Sequence, residues 1–401
     1  MKAMLLAAGK GTRVRPVTDT VPKPMIPIVN KPVMEFLIDL LRQHGFDQII
    51  VSTSYLAHEI EHYFRDGSRF GVQIAYSFEG HHADGQVVPG GFGSAGGLKK
   101  IQDFSGFFDE TFAVLCGDAL IDVDLTRALA FHRDRKALAT VVLKDVPREE
   151  VWKYGVVKTE ADGRIVQFQE KPAPEDAVST TINTGIYFFE PAVFDHIPAD
   201  TVFDIGGQLL PRLADQRLPF YGVALPFSWI DIGSTPDYWQ ATQMILRGEF
   251  AVEMPGRELA PGIWGGINLA VDLTTCDVRA PVYLGSSTTI EPGATVVGPT
   301  VIGHNCLIQA GARLDACVVG DYTRVSGFAN LREKIVSGRF CVDRAGHNVE
   351  LAKTGYAFAV DDARERRRRV VYDASKRRRS TDTDEDRILM EFLASQNTPN
   401  V

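Results

Sequence analysis

Cysteine is scarce in this 401-residue chain, with five in all. Cys116, Cys276, Cys306, Cys317 and Cys341 are scattered and never spaced as C-x-x-C, so they suggest neither a disulfide framework nor a zinc site. Long hydrophobic runs are missing as well: no apolar stretch reaches the roughly 18 residues that a membrane helix needs. The first residues hold one lysine and a short apolar run broken at Gly9, rather than the apolar region and cleavage site of a secretory leader. A soluble cytoplasmic protein without a membrane span is therefore expected. Two familiar nucleotide fingerprints, G-x-x-x-x-G-K-[ST] and G-x-G-x-x-G, are absent. No nucleic-acid partner is expected, although the net charge of −8 conceals an asymmetry along the chain. Its one strongly basic stretch, residues 364–379 with nine basic and two acidic side chains, lacks a series of interleaved aromatics to stack bases and reads as a solvated or self-pairing segment.

What is present divides the chain into regions. At this length one core usually gives way to two domains. Up to about residue 245, strand-like runs (Met4–Ala8, Gln48–Ser52, Phe112–Leu115, Ala139–Leu143) alternate with helical patterns. In KPVMEFLIDLLRQHG, Met34, Leu37, Leu40 and Leu41 share one face and Gly45 supplies a stop. Such alternation predicts a doubly wound α/β sheet. From 281 the period changes. Leu284, Ile290, Val296, Ile302, Ile308 and Leu314 recur every six residues, and the small residues Thr288, Ala294, Thr300, Cys306 and Ala312 stand two places before the later five. That repeat predicts a β-helix over 281–352, whose triangular coils point the aliphatic residues inward. After Leu314 the register slips by one, and Val319 and Val325 continue the spacing, so an irregular last coil is expected. Residues 246–280 are read as a linker and 353–401 as a charged tail.

The opening run, residues 3–8, is apolar or small without alternation, as in a strand buried on both faces. It leads into Gly9-x-Gly11-Thr12-Arg13 and, ten residues on, Pro22-Lys23-Pro24. A strand ending in glycines leaves backbone N–H groups open to a phosphate chain, with a guanidinium and an ammonium close at hand.

The stretch LLAAGKGTRVRPVTDTVPKPM resembles the signature of sugar-1-phosphate nucleotidylyltransferases. Gly93-Ser94-Ala95-Gly96, Leu115-Cys116-Gly117-Asp118, Tyr154-Gly155-Val156-Val157, Glu170-Lys171-Pro172, Asn183-Thr184-Gly185 and Trp229-Ile230-Asp231-Ile232-Gly233 extend the likeness over about residues 1–340. The resemblance implies a Rossmann-like, doubly wound mixed sheet followed by a left-handed parallel β-helix. It implies an in-line attack by a sugar-1-phosphate on the α-phosphorus of a nucleoside triphosphate, with Mg2+ held by Asp118 and Asp231 and with Arg13 and Lys23 as the catalytic cations. Ala7, Ala8, Gly9, Gly11, Thr12, Arg13, Lys23, Glu79, Gly93 and Asp118 would bind nucleotide, and Gly155, Glu170, Lys171 and Asn183 the sugar phosphate.

The base is less plain. The family's pyrimidine-reading glutamine falls at Val88, and Gly80–Gly91 reads as an insertion, which leaves Glu79 as its counterpart and Gln86 as a rival. A carboxylate suits the N–H edge of guanine, whereas the overall likeness leans towards UTP with glucose-1-phosphate over GTP with mannose-1-phosphate. A non-catalytic regulatory subunit would show decay at Arg13, Lys23, Asp118 or Asp231, and all four are present. The open-ended coils imply a homo-oligomer.

Overall fold

The unbroken apolar run after the N-terminus forms the strand Lys2–Leu6 in the computed structural model, which describes residues 1–83, 86–350 and 359–365. It pairs in parallel with Gln48–Thr53 and with Phe112–Cys116. Ala3, Met4 and Leu5 are fully buried, because a central strand is covered on both faces. Nine strands make the sheet, in the order 165–170, 155–159, 181–189, 112–116, 2–6, 48–53 and 73–78, with 139–145 paired to 181–189 and to 220–224. It is mixed: Thr181–Phe189 runs antiparallel to both of the strands 112–116 and 139–145.

The helices are α1 (Val33–Gln43), α2 (Ala57–Phe64), α3 (Ser94–Ser105), α4 (Leu125–Asp134), α5 (Leu210–Asp215) and α6 (Thr235–Leu246). The predicted face of α1 is buried, and Met34, Leu37 and Leu41 pack with Leu5 and Leu115. Met4 and Val114, one residue earlier on the same strands, point the other way and pack with Leu98 and Ile101 of α3, as the two-residue period of a strand dictates.

The chain forms two compact units. The first comprises Met1–Thr12, Thr18–Ile26 and Pro32–Asp231, and the second comprises Arg13–Val17, Pro27–Lys31 and the chain from Ile232 onward. Helix α6 thus groups with the second unit although nearly all of it lies before residue 245. That unit is a β-helix in which each coil repeats after 18 residues, Val282 beside Thr300 and Thr295 beside Arg313. After Leu314 the repeat becomes 17, with Val301 beside Val318 and Leu314 beside Leu331, which is the one-residue slip seen in the sequence. Every aliphatic of the six-residue series is buried. The small residues turn the corners from inside: the Thr288 hydroxyl donates to the Gly303 carbonyl at 2.7 Å and accepts the Cys306 N–H at 3.2 Å, one coil on.

Winding begins before 281. Ile263, Ala270 and Asp277 pair with Val282, Thr289 and Thr295, so part of the expected linker is already a coil. Its strands are seven residues apart, which takes them off the six-residue beat and hides them from the periodicity. At the other end Val360–Asp362, expected within the tail, runs antiparallel to Thr323–Val325 and covers that sheet's edge. Beyond residue 365 the Arg-rich stretch lies outside the described residues.

Candidate active site

The carboxyl ends of the central strands, where α/β sheets bind ligands, gather most of the residues singled out above. Ala7 continues Lys2–Leu6, and its N–H reaches the Ser52 carbonyl at 3.1 Å and hydroxyl at 3.3 Å. Gly117 donates to the Leu6 carbonyl at 2.9 Å, which stitches the opening loop to the turn carrying Asp118. Within the loop Gly9 is exposed, and a Cβ placed there would meet nothing within 4 Å, so the backbone is open to a ligand. Gly11 is different: its φ is +60°, its carbonyl accepts the Thr18 hydroxyl at 2.8 Å, and a Cβ would press on Lys23 and Thr18 at 3.1 Å.

Lys23 begins a short 3-10 turn, Lys23–Met25, and its Nζ donates to Asp118 and, at 3.3 Å, to Asp231. Two short strands bring these carboxylates together. Ala119–Ile121, just after Asp118, pairs antiparallel with Trp229–Asp231, placing Asp231 opposite Ala119. Burial works against the charged ammonium of Lys23, but Asp118 and Asp231 outweigh it and raise its pKa. Among the described residues no group of three or more His, Cys, Asp or Glu side chains is arranged to hold a metal. Two carboxylates nevertheless suit magnesium, which binds protein through one or two of them and keeps waters and phosphate oxygens as its other ligands.

Gly155, Glu170, Lys171 and Asn183, expected at the sugar phosphate, lie on or just beyond neighbouring strands. Gly155 faces Glu170 across the pair 155–159 and 165–170, and a Cβ on Gly155 would stand 3.1 Å from the Glu170 carboxylate and 2.4 Å from the Phe168 ring. Lys171 has a left-handed backbone, φ +48°, and its Nζ lies 3.3 Å from Glu170. Asn183-Thr184-Gly185 forms a bulge, since the register slips between Val141, opposite Tyr187, and Leu143, opposite Asn183. The bulge orients Asn183: its Oδ1 accepts the Gly185 N–H at 2.9 Å and its Nδ2 donates to the Tyr187 hydroxyl at 2.8 Å. Two links tie it to the carboxylates. Trp229 Nε1–H donates to the Thr184 carbonyl at 3.2 Å, and a Cβ on Gly185 would fall 2.6 Å from the Cys116 sulfur.

Glu79 is 4% exposed. Its carboxylate lies over Gly97, where a Cβ would stand 2.9 Å from Oε1; burial raises its pKa, and Phe92, Ser52 and Lys100 oppose that rise by less. Gly93 (φ +73°) would drive a Cβ to 2.5 Å from the Phe203 carbonyl, which itself accepts the N–H groups of Ala95 and Gly96. Arg13 is exposed and groups with the second unit. The loop Gly80–Gly91 contains a hairpin, Gly80–Ala83 with Gln86–Pro89; the side chain of Gln86 lies outside the described residues.

The sequence reading missed Ser52 and Asp204. The Ser52 hydroxyl accepts the Ala7 N–H at 3.3 Å, and Asp204 accepts the Ser94 hydroxyl at 2.8 Å. Nothing in the sequence marks Ser52, whereas Gly206-Gly207 after Asp204 hints at close packing: a Cβ on Gly206 would stand 3.0 Å from Glu170.

An open glycine loop at a strand's carboxyl end beside an ammonium paired with two carboxylates is the equipment of a class of proteins that handle polyphosphates. Residues 2–248 match the family described as Nucleotidyl transferase, and 281–316 the family described as bacterial transferase hexapeptide (six repeats). The chain belongs to the nucleotidyl transferase family of enzymes. It is 56% identical over 365 residues to a UTP–glucose-1-phosphate uridylyltransferase of Synechocystis sp., covering 91% of this chain and 94% of that one. It is 32% identical over 326 residues to a mannose-1-phosphate guanylyltransferase of Mycobacterium tuberculosis, covering 80% of each. Two solved structures share the fold over about 60% of the chain. A UDP-glucose pyrophosphorylase complexed with UDP-glucose has a TM-score of 0.53 and 24% identity, covering 62% of this chain and 98% of that one. A UDP-glucose pyrophosphorylase from Acinetobacter baumanii has a TM-score of 0.51 and 22% identity, covering 60% and 92%.

Proposed function

We propose that this enzyme transfers a uridylyl group from UTP to glucose-1-phosphate, giving UDP-glucose and pyrophosphate. The observation that carries this reading is the 56% identity to a UTP–glucose-1-phosphate uridylyltransferase over nearly the whole of both chains. In the reaction a phosphate oxygen of the sugar phosphate forms a bond to the α-phosphorus of UTP as the bond to pyrophosphate breaks. The attacking oxygen is already anionic, so the protein needs no nucleophile of its own, and the task is to bring two polyanions together and neutralise the growing charge. The loop Ala7–Thr12 receives the triphosphate, and Lys23 and Arg13 stabilise the departing pyrophosphate, Arg by a fork and Lys as a point charge. Asp118 and Asp231 would hold Mg2+, which supplies charge neutralisation at the phosphate oxygens. Lys171, Glu170, Asn183 and Gly155 receive the sugar phosphate.

A second reading, GTP with mannose-1-phosphate, draws on the 32% relative and on the carboxylate at position 79. That carboxylate belongs to a residue only 4% exposed, which supports uridine over guanine. No helix among the described residues is long and apolar enough to cross a membrane. The enzyme works in the cytoplasm as a homo-oligomer assembled through its β-helix. The test is pyrophosphate release in the presence of magnesium, crossing UTP, GTP, dTTP, ATP and CTP with glucose-1-phosphate and mannose-1-phosphate. Turnover confined to UTP with glucose-1-phosphate is the expected result, and turnover confined to GTP with mannose-1-phosphate reverses the assignment. No turnover with any pair, while nucleotide sugar still binds, identifies a regulatory subunit.

A further inference from the structure

Two glycines from separate parts of the chain flank the carboxylate of Glu170, which ends the strand Ile165–Glu170. The two carboxylate oxygens have different neighbours. Oε1 lies 3.3 Å from Lys171 Nζ. Oε2 stands against backbone: a Cβ on Gly155 would fall 3.1 Å from it, and a Cβ on Gly206 3.0 Å. Gly155 faces Glu170 across a strand pair. Gly206 lies in the π-helical turn Ile205–Leu209, which leads into α5, and α5 packs on the strand that Glu170 ends. All of these residues belong to the first compact unit.

Backbone conformation does not call for glycine at 206, since neither it nor its neighbour Gly207 has a left-handed φ. Glycine in a helical turn is also costly, because it gives up more backbone freedom on folding than any other residue. At Gly207 a Cβ would meet Asp204 at 3.6 Å, an ordinary contact, so that position has room for a side chain. At Gly206 the contact is too close, and the atom met is the tip of a long, partly exposed side chain rather than backbone. The turn itself is pinned. Asp204 accepts the Gly207 N–H at 2.9 Å and the Ser94 hydroxyl at 2.8 Å, and the Ile205 N–H donates to Ser94 Oγ at 2.8 Å. A methyl group at 206 would therefore move the Glu170 carboxylate before it moved the turn.

We propose that Gly206 is a positioning residue for the acceptor sugar phosphate: by lacking a side chain opposite Gly155, it leaves Glu170 the place from which the carboxylate receives sugar hydroxyls. The inference rests on the nucleotidyl-transfer reading above, with Glu170 on the sugar side, and is independent of which base the enzyme selects. The test is Gly206→Ala beside Gly207→Ala, both made in the full chain. Each variant adds one methyl group to the same turn, and only the first presses on Glu170. Both should melt at or above the wild-type temperature, since alanine suits a helical turn better than glycine.

KM for glucose-1-phosphate should rise about fivefold in Gly206→Ala, short of the roughly tenfold or more that losing a hydrogen bond to a charged group costs. KM for UTP should stay at the wild-type level, a split that general loosening of the fold would not produce. Gly207→Ala should leave both constants unchanged. In a Glu170→Ala background, Gly206→Ala should add nothing further, because the group it displaces is gone. An unchanged KM for glucose-1-phosphate in Gly206→Ala overturns the inference. So do equal effects of the two alanines, a Gly206→Ala effect that persists undiminished without the Glu170 carboxylate, or a Gly206→Ala melting temperature well below wild type, which would mean that the turn gives way. Wild-type turnover of GTP with mannose-1-phosphate alone would sink the substrate assignment, and the same comparison with that sugar phosphate would still decide the role of Gly206. If the chain binds nucleotide sugar without turnover, its dissociation constant takes the place of KM in the same four comparisons.

Discussion

Glu79 follows the strand Gln73–Phe78 almost wholly buried, with the Ser54 hydroxyl on its backbone carbonyl at 2.7 Å. Read as a residue type, it offers acceptors to a guanine; read in place, it is buried with its carboxylate against Gly97 of α3. We therefore expect Glu79→Gln to keep the preference between UTP and GTP, measured as the ratio of kcat/KM values, within about twofold, far below the 10–200-fold that a small pocket contact can supply. Burial raises the Glu79 pKa, while Phe92, Ser52 and Lys100 pull it down by less. A carboxylate whose folded pKa lies above its unfolded value contributes stability that is fully present below the unfolded pKa and lost as pH rises through the folded one. The amide does not titrate, so the melting temperature of Glu79→Gln relative to wild type should rise between pH 4 and pH 7.5. A falling difference, or a changed base preference, would return Glu79 to the role of base reader.

Elements show the same dependence on surroundings. Asn183-Thr184-Gly185 is at once a bulge and the mounting for a site residue, because the extra residues that break the ladder also turn the side chain (bulges re-aim side chains in this way). The β-helix is regular where corners are short and departs from its sequence pattern where they lengthen, at Ile263–Asp277, or shorten, after Leu314. Its last described strand, Val360–Asp362, is held by Arg324, which lies 3.1 Å from Asp361 and donates to the carbonyls of Ala363 at 3.1 Å and Glu365 at 3.3 Å. Both side chains of that pair are mostly buried, and removing the guanidinium takes a partner from one carboxylate and two carbonyls. Arg324→Ala should cost about 2 kcal/mol, below the full cost of breaking a wholly buried pair. Hydrogen exchange checks it: protection should fall at residues 360–362 and persist at 284, 290 and 302. Uniform loss across all coils would show that the strand is not a separate cap.

For the whole molecule, composition and length bound what folds and associates. The second unit exposes Ile267 at 72% and Phe328 at 69%, large apolar side chains of the kind that second copies cover. Light scattering of the full chain should give a mass of at least twice 44.2 kDa, and Phe328→Asp should lower it at micromolar concentration. A wild-type mass of 44.2 kDa would rule out stable assembly.

Much of this was written in local sequence. The two-faced apolar run at residues 3–8, the α1 face, the six-residue series from Leu284 and its slip after Leu314 are periodic properties, and a period is visible without knowing any partner. The loop glycines, Lys23, Asp118 and Asp231 could be singled out by motif. Only the tertiary structure decided that Ala119–Ile121 would pair with Trp229–Asp231 and set the two carboxylates around one lysine. It likewise decided that Glu79 would be buried and that Pro27–Lys31 would group with α6 and the coils. These are choices of partner between distant segments, settled by which apolar surfaces and backbone groups remain to be covered once each element has formed, and no single stretch of the chain contains that information.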